Sequence, residues 1–145
     1  MGREVSSSTY AKDPHYPRVV LAVTALLDRG NGVAPVDVLV GMGLLTSESL
    51  EDWRRGRVPH LERVIRCNLS KLSRILRILQ FHARDRGLYP SVTVYNRWSK
   101  GPKQRLRFTK SGDPSLEEAY ATHFVRRAKA PPAEDAPPRE PPPPG

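Results

Sequence analysis

Tyr95, Arg97, Arg105 and Arg107 flank a turn that carries Lys100 and Lys103. An aromatic ring set among arginines can stack on a base or a sugar while neighbouring guanidinium groups hold phosphates. A second basic constellation is W-R-R-G-R-V-P at Trp53 to Pro59, where Arg54, Arg55 and Arg57 stand around one glycine. The arginine fork can bridge guanine edges or phosphate oxygens, which a lysine point charge cannot do in the same way. A third set, Arg63, Arg66, Arg74, Arg77 and Arg84, falls on one side of a helical projection, with Glu62 and Asp85 as compensating charges at its ends. Like charges on one face repel unless an anion neutralises them. The competing readings are a solvated helix face and a charge-protected edge hairpin.

These residues dominate the charge of the chain. The formal net charge is +9, from 24 Lys and Arg against 15 Asp and Glu, and its distribution is uneven. Residues 51–110 hold 16 basic and 4 acidic side chains, or +12, while 1–50 carry −1 and 111–145 carry −2. Such a block attracts polyanions over about a Debye length, roughly 8 to 10 Å at physiological salt. Nucleic acid is the first partner to expect, with DNA preferred over RNA, and no membrane partner is implied.

Helices and one hairpin must position these groups. Residues 1–16 have no periodicity and read as a flexible N-terminal arm. Pro17 opens a helix over 17–29, with Val19, Val20, Val23, Leu26 and Leu27 on one stripe. Pro35 opens a short second helix, and Thr46 or Ser47 caps a third that ends near Gly56. Pro59 opens the longest helix, 59–86, which aligns Leu61, Val64, Ile65, Leu72, Ile75, Leu76, Leu79 and Ala83. Asn68 falls on that apolar side, where a structural task is expected of it: a satisfied core group, a helix contact or a kink. A period of two between 91 and 110 predicts a β-hairpin with its tip at Ser99 to Gln104 and with Tyr95 on the outward face. Asp113 caps a last helix that runs to about Arg127. The Pro-rich segment 128–145 is expected to be a disordered tail. The domain is therefore 17–127, mainly α with one β-hairpin.

The helix, glycine turn and helix from Pro35 to Gly56, followed by W-R-R-G-R-V-P, resembles the helix-turn-helix of phage-repressor-like and excisionase-like DNA-binding proteins. That resemblance implies a second helix in the major groove with arginines at the bases or phosphates. A hairpin after such a helix resembles the wing of winged-helix proteins. The segment Leu50 to Phe124 resembles small uncharacterised bacterial proteins with no assigned activity. Arg77 and His82 form R-x-x-x-x-H, similar to the motif of HEPN ribonucleases. That likeness implies a small toxin-like enzyme in which arginine holds a phosphate and imidazole moves a proton.

Other chemistry is poorly represented. Cys67 is the single cysteine, which excludes an internal disulfide and fits a reducing cytoplasm. His15, His60, His82 and His123 lack metal-ligand spacing, no phosphate-cradling glycine loop occurs, and no cofactor is implied. The expectation is a non-enzymatic, regulatory nucleic-acid-binding protein. The alternatives are the Arg77–His82 ribonuclease and a scaffold for an acidic protein partner.

Overall fold

A computed structural model describes residues 9–30, 32–126 and 134–135 of the 145-residue chain. Five helices dominate it: α1 (Tyr16–Arg29), α2 (Pro35–Gly41), α3 (Ser47–Arg54), α4 (Leu69–Asp85) and α5 (Pro114–Ala121). The strands are β1 (Gly32–Val33), β2 (Tyr89–Val92), β3 (Val94–Tyr95), β4 (Thr122–Val125) and β5 (Glu134–Asp135). β4 is the centre of a three-stranded antiparallel sheet in the order β1-β4-β2. β3 pairs in parallel with β5.

The helix starts follow from local chemistry. Pro17 and Pro35 sit in the first turns of α1 and α2, where a missing N–H costs nothing. Thr46 Oγ1 accepts from Ser49 N at 3.0 Å and caps α3, and Asp113 accepts from Ser115 N at 2.8 Å and caps α5. The helices bury their apolar stripes in one core around Val19, Val23, Leu39, Leu61, Ile75, Ile78, Leu79 and Tyr120. Trp53, at the end of α3, is fully enclosed between Tyr95 and Phe108, with ring centroids 5.4 and 5.0 Å away.

Four expectations from the sequence need correction. The segment 59–86 is not one helix. Leu61–Val64 is a 3-10 turn, Ile65 is extended, and α4 begins only after Asn68, whose side chain accepts from Lys71 N at 2.8 Å. Asn68 is thus an N-cap. Its side chain satisfies the backbone of a new helix start better than it tolerates a helix interior. Leu61 and Ile65 still reach the same core, so their helical spacing was a false continuity.

The last helix stops at Ala121, and Thr122 to Val125 become the central strand of the sheet. Threonine, phenylalanine and valine suit a pleated, half-buried position better than a helix end.

The hairpin expected at 91–110 is reduced to one bridge, Asn96 with Arg105, flanked by Leu106 N to Tyr95 O at 2.9 Å and Arg97 N to Gln104 O at 2.8 Å. β2 pairs with β4 instead, while Phe108 N donates to the Glu117 carboxylate of α5 and the Phe108 carbonyl accepts from Glu62 N.

The stretch Thr9 to Tyr16 is no loose arm. Tyr10 is buried against Phe81 and Tyr16, its hydroxyl donates to Asp85, and Asp13 forms an ion pair with Arg74. Of the segment 128–145, all but Glu134–Asp135 lies outside the described residues.

Candidate nucleic-acid interface

Three arginines that are up to ten positions apart converge on one cleft. Arg97, Arg105 and Arg107 line a space of about 220 Å³ together with Gly56, Val58 and Pro59. All three arginines are exposed, and among the described residues none of them forms an ion pair.

Each is set in place by groups the sequence spreads widely. The Arg107 carbonyl accepts from Trp53 Nε1 at 2.7 Å and from Leu61 N at 3.2 Å, and the Phe108 carbonyl accepts from Glu62 N at 2.9 Å. The Glu117 carboxylate then accepts from Phe108 N at 3.2 Å, Thr109 N at 2.8 Å and Thr109 Oγ1 at 2.6 Å. A carboxylate receiving several donors in a part-buried site makes a strong anchor. The outward Arg107 guanidinium donates to the Lys110 carbonyl at 3.1 Å and lies over Gly112.

Arg97 is held at both flanks. Its own N–H reaches the Gln104 carbonyl, and Trp98 N donates to the Arg54 carbonyl at 2.7 Å, which ties the turn to the end of α3. The Arg97 side chain lies across Gly56 so closely that a Cβ there would have to displace it. Arg105 occupies the bridge position opposite Asn96. Lys100 and Lys103 are exposed at the tip.

The other basic residues are used differently. Arg55 pairs with Glu51 at 2.8 Å and Arg57 with Asp52 at 3.0 Å. Arg54 is only 5% exposed, with its guanidinium carbon 4.9 Å from the Tyr95 ring centroid and 4.8 Å from that of Trp98. It is thus a packed cation between aromatic faces rather than an outward reader. Arg74 is engaged by Asp13. Burial alone would push the Asp13 carboxyl up. The His15 backbone N–H and the Arg74 guanidinium outweigh that and hold it below the usual range.

Arg63 and Arg66 are exposed but belong to the turns before α4, so no continuous five-arginine helix face exists. Tyr95, expected to face outward, is buried, and its hydroxyl lies 2.6 Å from His123 Nε2. The outward side of α3 carries exposed Glu48 and Glu51 beside half-buried Asp52.

Arg77 and His82 do not converge either. Five positions on an α-helix separate two side chains by about 140°, and here Arg77 is exposed while His82 is buried against Tyr16. Burial lowers the His82 pKa, the nearby Arg86 charge lowers it further, and Asp85 only partly opposes them. A buried imidazole turned away from its arginine offers no route for a phosphate to reach both.

Trp53, Glu117 and Gly56 are the positioning residues that sequence reasoning missed. The one visible signal was the glycine inside the Trp53 to Pro59 run. Among the described residues no group of His, Cys, Asp and Glu could hold a metal, and no helix is long and apolar enough to cross a membrane.

Fold and site together define a mainly helical protein with a small antiparallel sheet and an arginine-lined cleft beside the end of α3. No protein-family model, curated protein or solved structure matches the chain.

Proposed function

We propose that this protein binds nucleic acid, duplex DNA in the first place, through phosphates held by Arg97, Arg105 and Arg107. The observation that carries the reading is the convergence of these three exposed arginines on one cleft without a carboxylate among them. An anionic backbone supplies the missing counter-charge, and Lys100 and Lys103 extend the positive field along the tip. Contacts of this type position a protein on a duplex without selecting a sequence.

The helix-turn-helix and winged-helix likenesses enter in a modified form. α3 follows α2 after a short turn, but its acidic outward side repels phosphates, so it serves as a support for the cleft rather than as a reader. The short 97–105 excursion takes the part of a wing. A regulatory role is compatible with this mode of binding.

The test is duplex binding as a function of salt. Each phosphate contact contributes about −0.9 to the slope of log K against log salt. Replacing Arg97, Arg105 and Arg107 together by alanine is expected to flatten the slope by about 2 to 3 contacts' worth. Arg63→Ala with Arg66→Ala is expected to leave most of it. No detectable binding to duplex DNA or RNA at low salt would defeat the proposal.

A further inference from the structure

A recess of about 480 Å³ lies where α4, α5 and the β2–β4 ladder meet, and it shares no residue with the arginine cleft. Its walls follow from the periodicities of these elements. On α4, Gln80 and Arg84 stand four residues apart and therefore on one helix face. On α5, Ser115, Glu118 and Ala119 share a face at spacings of three and four. The strand register sets Pro90 opposite Phe124 and Val92 opposite Thr122, two pairs on one face of the sheet that form the third wall. We infer that this recess is a binding site for a free amino acid with an apolar side chain, its carboxylate held by Arg84 and its ammonium group by Glu118.

Two observations carry this. The first is a pair of opposite charges that line one space without meeting. Among the described residues neither the Arg84 guanidinium nor the Glu118 carboxylate has an ion-pair or hydrogen-bond partner. The Arg84 guanidinium carbon lies 6.0 Å from the Phe81 ring centroid, a contact that uses no N–H. At residue 118 it is the backbone carbonyl, not the carboxylate, that accepts from Thr122 Oγ1, at 2.7 Å. A cation and an anion on different walls of one cavity match a ligand that carries both charges. A simple anion would meet Glu118 and a simple cation would meet Arg84, and each like-charge approach is unfavourable.

The second is the apolar surface between the two charges. Leu88 and Phe124 are buried, Val92 and Ala119 are half-buried, and Pro90 is exposed, so an apolar side chain finds a partly formed seat there. The volume is in the range of small-ligand sites, and few polar groups surround the apolar wall, as such sites require. The Gln80 amide and the Ser115 hydroxyl supply neutral donors and acceptors on the same faces as Arg84 and Glu118.

The experiment titrates the full chain with L-phenylalanine and follows the backbone amide signals of Val92 and Ala119 by nuclear magnetic resonance. Saturable binding with a dissociation constant of the order of a millimolar or below is expected. Phenethylamine, which lacks the carboxylate, and hydrocinnamate, which lacks the ammonium group, should each bind about five- to tenfold more weakly. Arg84→Met is expected to weaken phenylalanine by a similar factor and to leave phenethylamine no weaker. Glu118→Gln should do the same for phenylalanine and leave hydrocinnamate no weaker. Both positions are exposed, so the urea midpoints of the two variants should match that of the unaltered protein.

No saturable shift up to about 20 mM phenylalanine overturns the inference. Equal binding of the three compounds overturns it as well, because a zwitterion is then not what the recess selects. Variants that weaken all three compounds alike, or shifts confined to residues outside the recess, have the same consequence. The proposed phosphate cleft uses other side chains, so duplex binding and its salt slope are read separately and can fail or survive on their own.

Discussion

A Cβ placed on Gly56 would stand 2.4 Å from Cδ of Arg97 and 3.1 Å from its Cγ. The φ of Gly56 is +78°, so this position combines a left-handed backbone with a seat for an arginine. One glycine therefore fixes both the turn after α3 and the direction of a cleft-lining guanidinium.

Gly56→Ala is expected to cost about 1 to 2 kcal/mol from the left-handed conformation alone. It must also displace Arg97, so duplex binding falls several-fold. In an Arg97→Ala background the binding loss should vanish while the backbone cost remains, which urea melts and salt titrations on the four proteins of this cycle would separate. Equal binding losses in both backgrounds would mean that Gly56 does not act through Arg97.

Glu117→Ala removes the acceptor for Phe108 N, Thr109 N and the Thr109 hydroxyl. Thr109 is fully buried, so its groups cannot turn to water. The expected destabilisation is about 2 to 3 kcal/mol, with the urea midpoint lowered and the slope unchanged. A loss under about half a kcal/mol would show that the segment is held by its other contacts.

Asn68→Ala removes the cap of α4 and should cost about 1 kcal/mol, whereas Asn68→Asp should be tolerated because a carboxylate caps equally well at the positive helix end. If 59–86 were one continuous helix, alanine at this position would stabilise it instead. The sign of the change in thermal midpoint decides.

His82 and Asp13 make stability fall on acidification in two separate windows. The folded-state pKa of His82 lies below the ordinary value of 6.5 because of burial. Below 6.5 the unfolded chain therefore takes up a proton that the folded one resists, and stability declines as pH falls towards the folded pKa. The Asp13 carboxyl, also depressed, contributes stability that is present above its ordinary value of 3.8 and is lost as pH falls through the lower folded value. His82→Phe should flatten the decline between pH 7 and 5 while leaving the loss near pH 3, as measured by urea midpoints at stepped pH. An unchanged slope between pH 7 and 5 would remove His82 as its cause.

Local chemistry was legible along much of the chain. Proline at the starts of α1 and α2, Thr46 and Asp113 as caps, and the apolar stripe of α1 are nearest-neighbour effects, and the sequence contains both partners. The concentration of positive charge in 51–110 was equally plain, since net charge is a sum over residue types.

What that charge faces was decided only by tertiary structure. Periodicity assigned Leu61 and Leu72 to one helix because both reach the same core, although Asn68 interrupts the backbone between them. Alternation placed Tyr95 outside because a two-residue period cannot tell which face of a short strand meets the aromatic core of Trp53 and Phe108. Thr122 to Val125 could have continued a helix on spacing alone, and became a central strand because β1 and β2 lie on either side to pair with it.

The same holds for the arginines of the basic block. Sequence determined their number and their exclusion from most of the core. Contacts across 54 residues, from Trp53 to Arg107, and the close approach of Arg97 to Gly56 decided which of them share a cleft. Carboxylates and rings nearby decided that Arg54, Arg55, Arg57 and Arg74 would not. A residue's type fixes its charge, but the field at a surface depends on distances between groups that only the folded chain brings together.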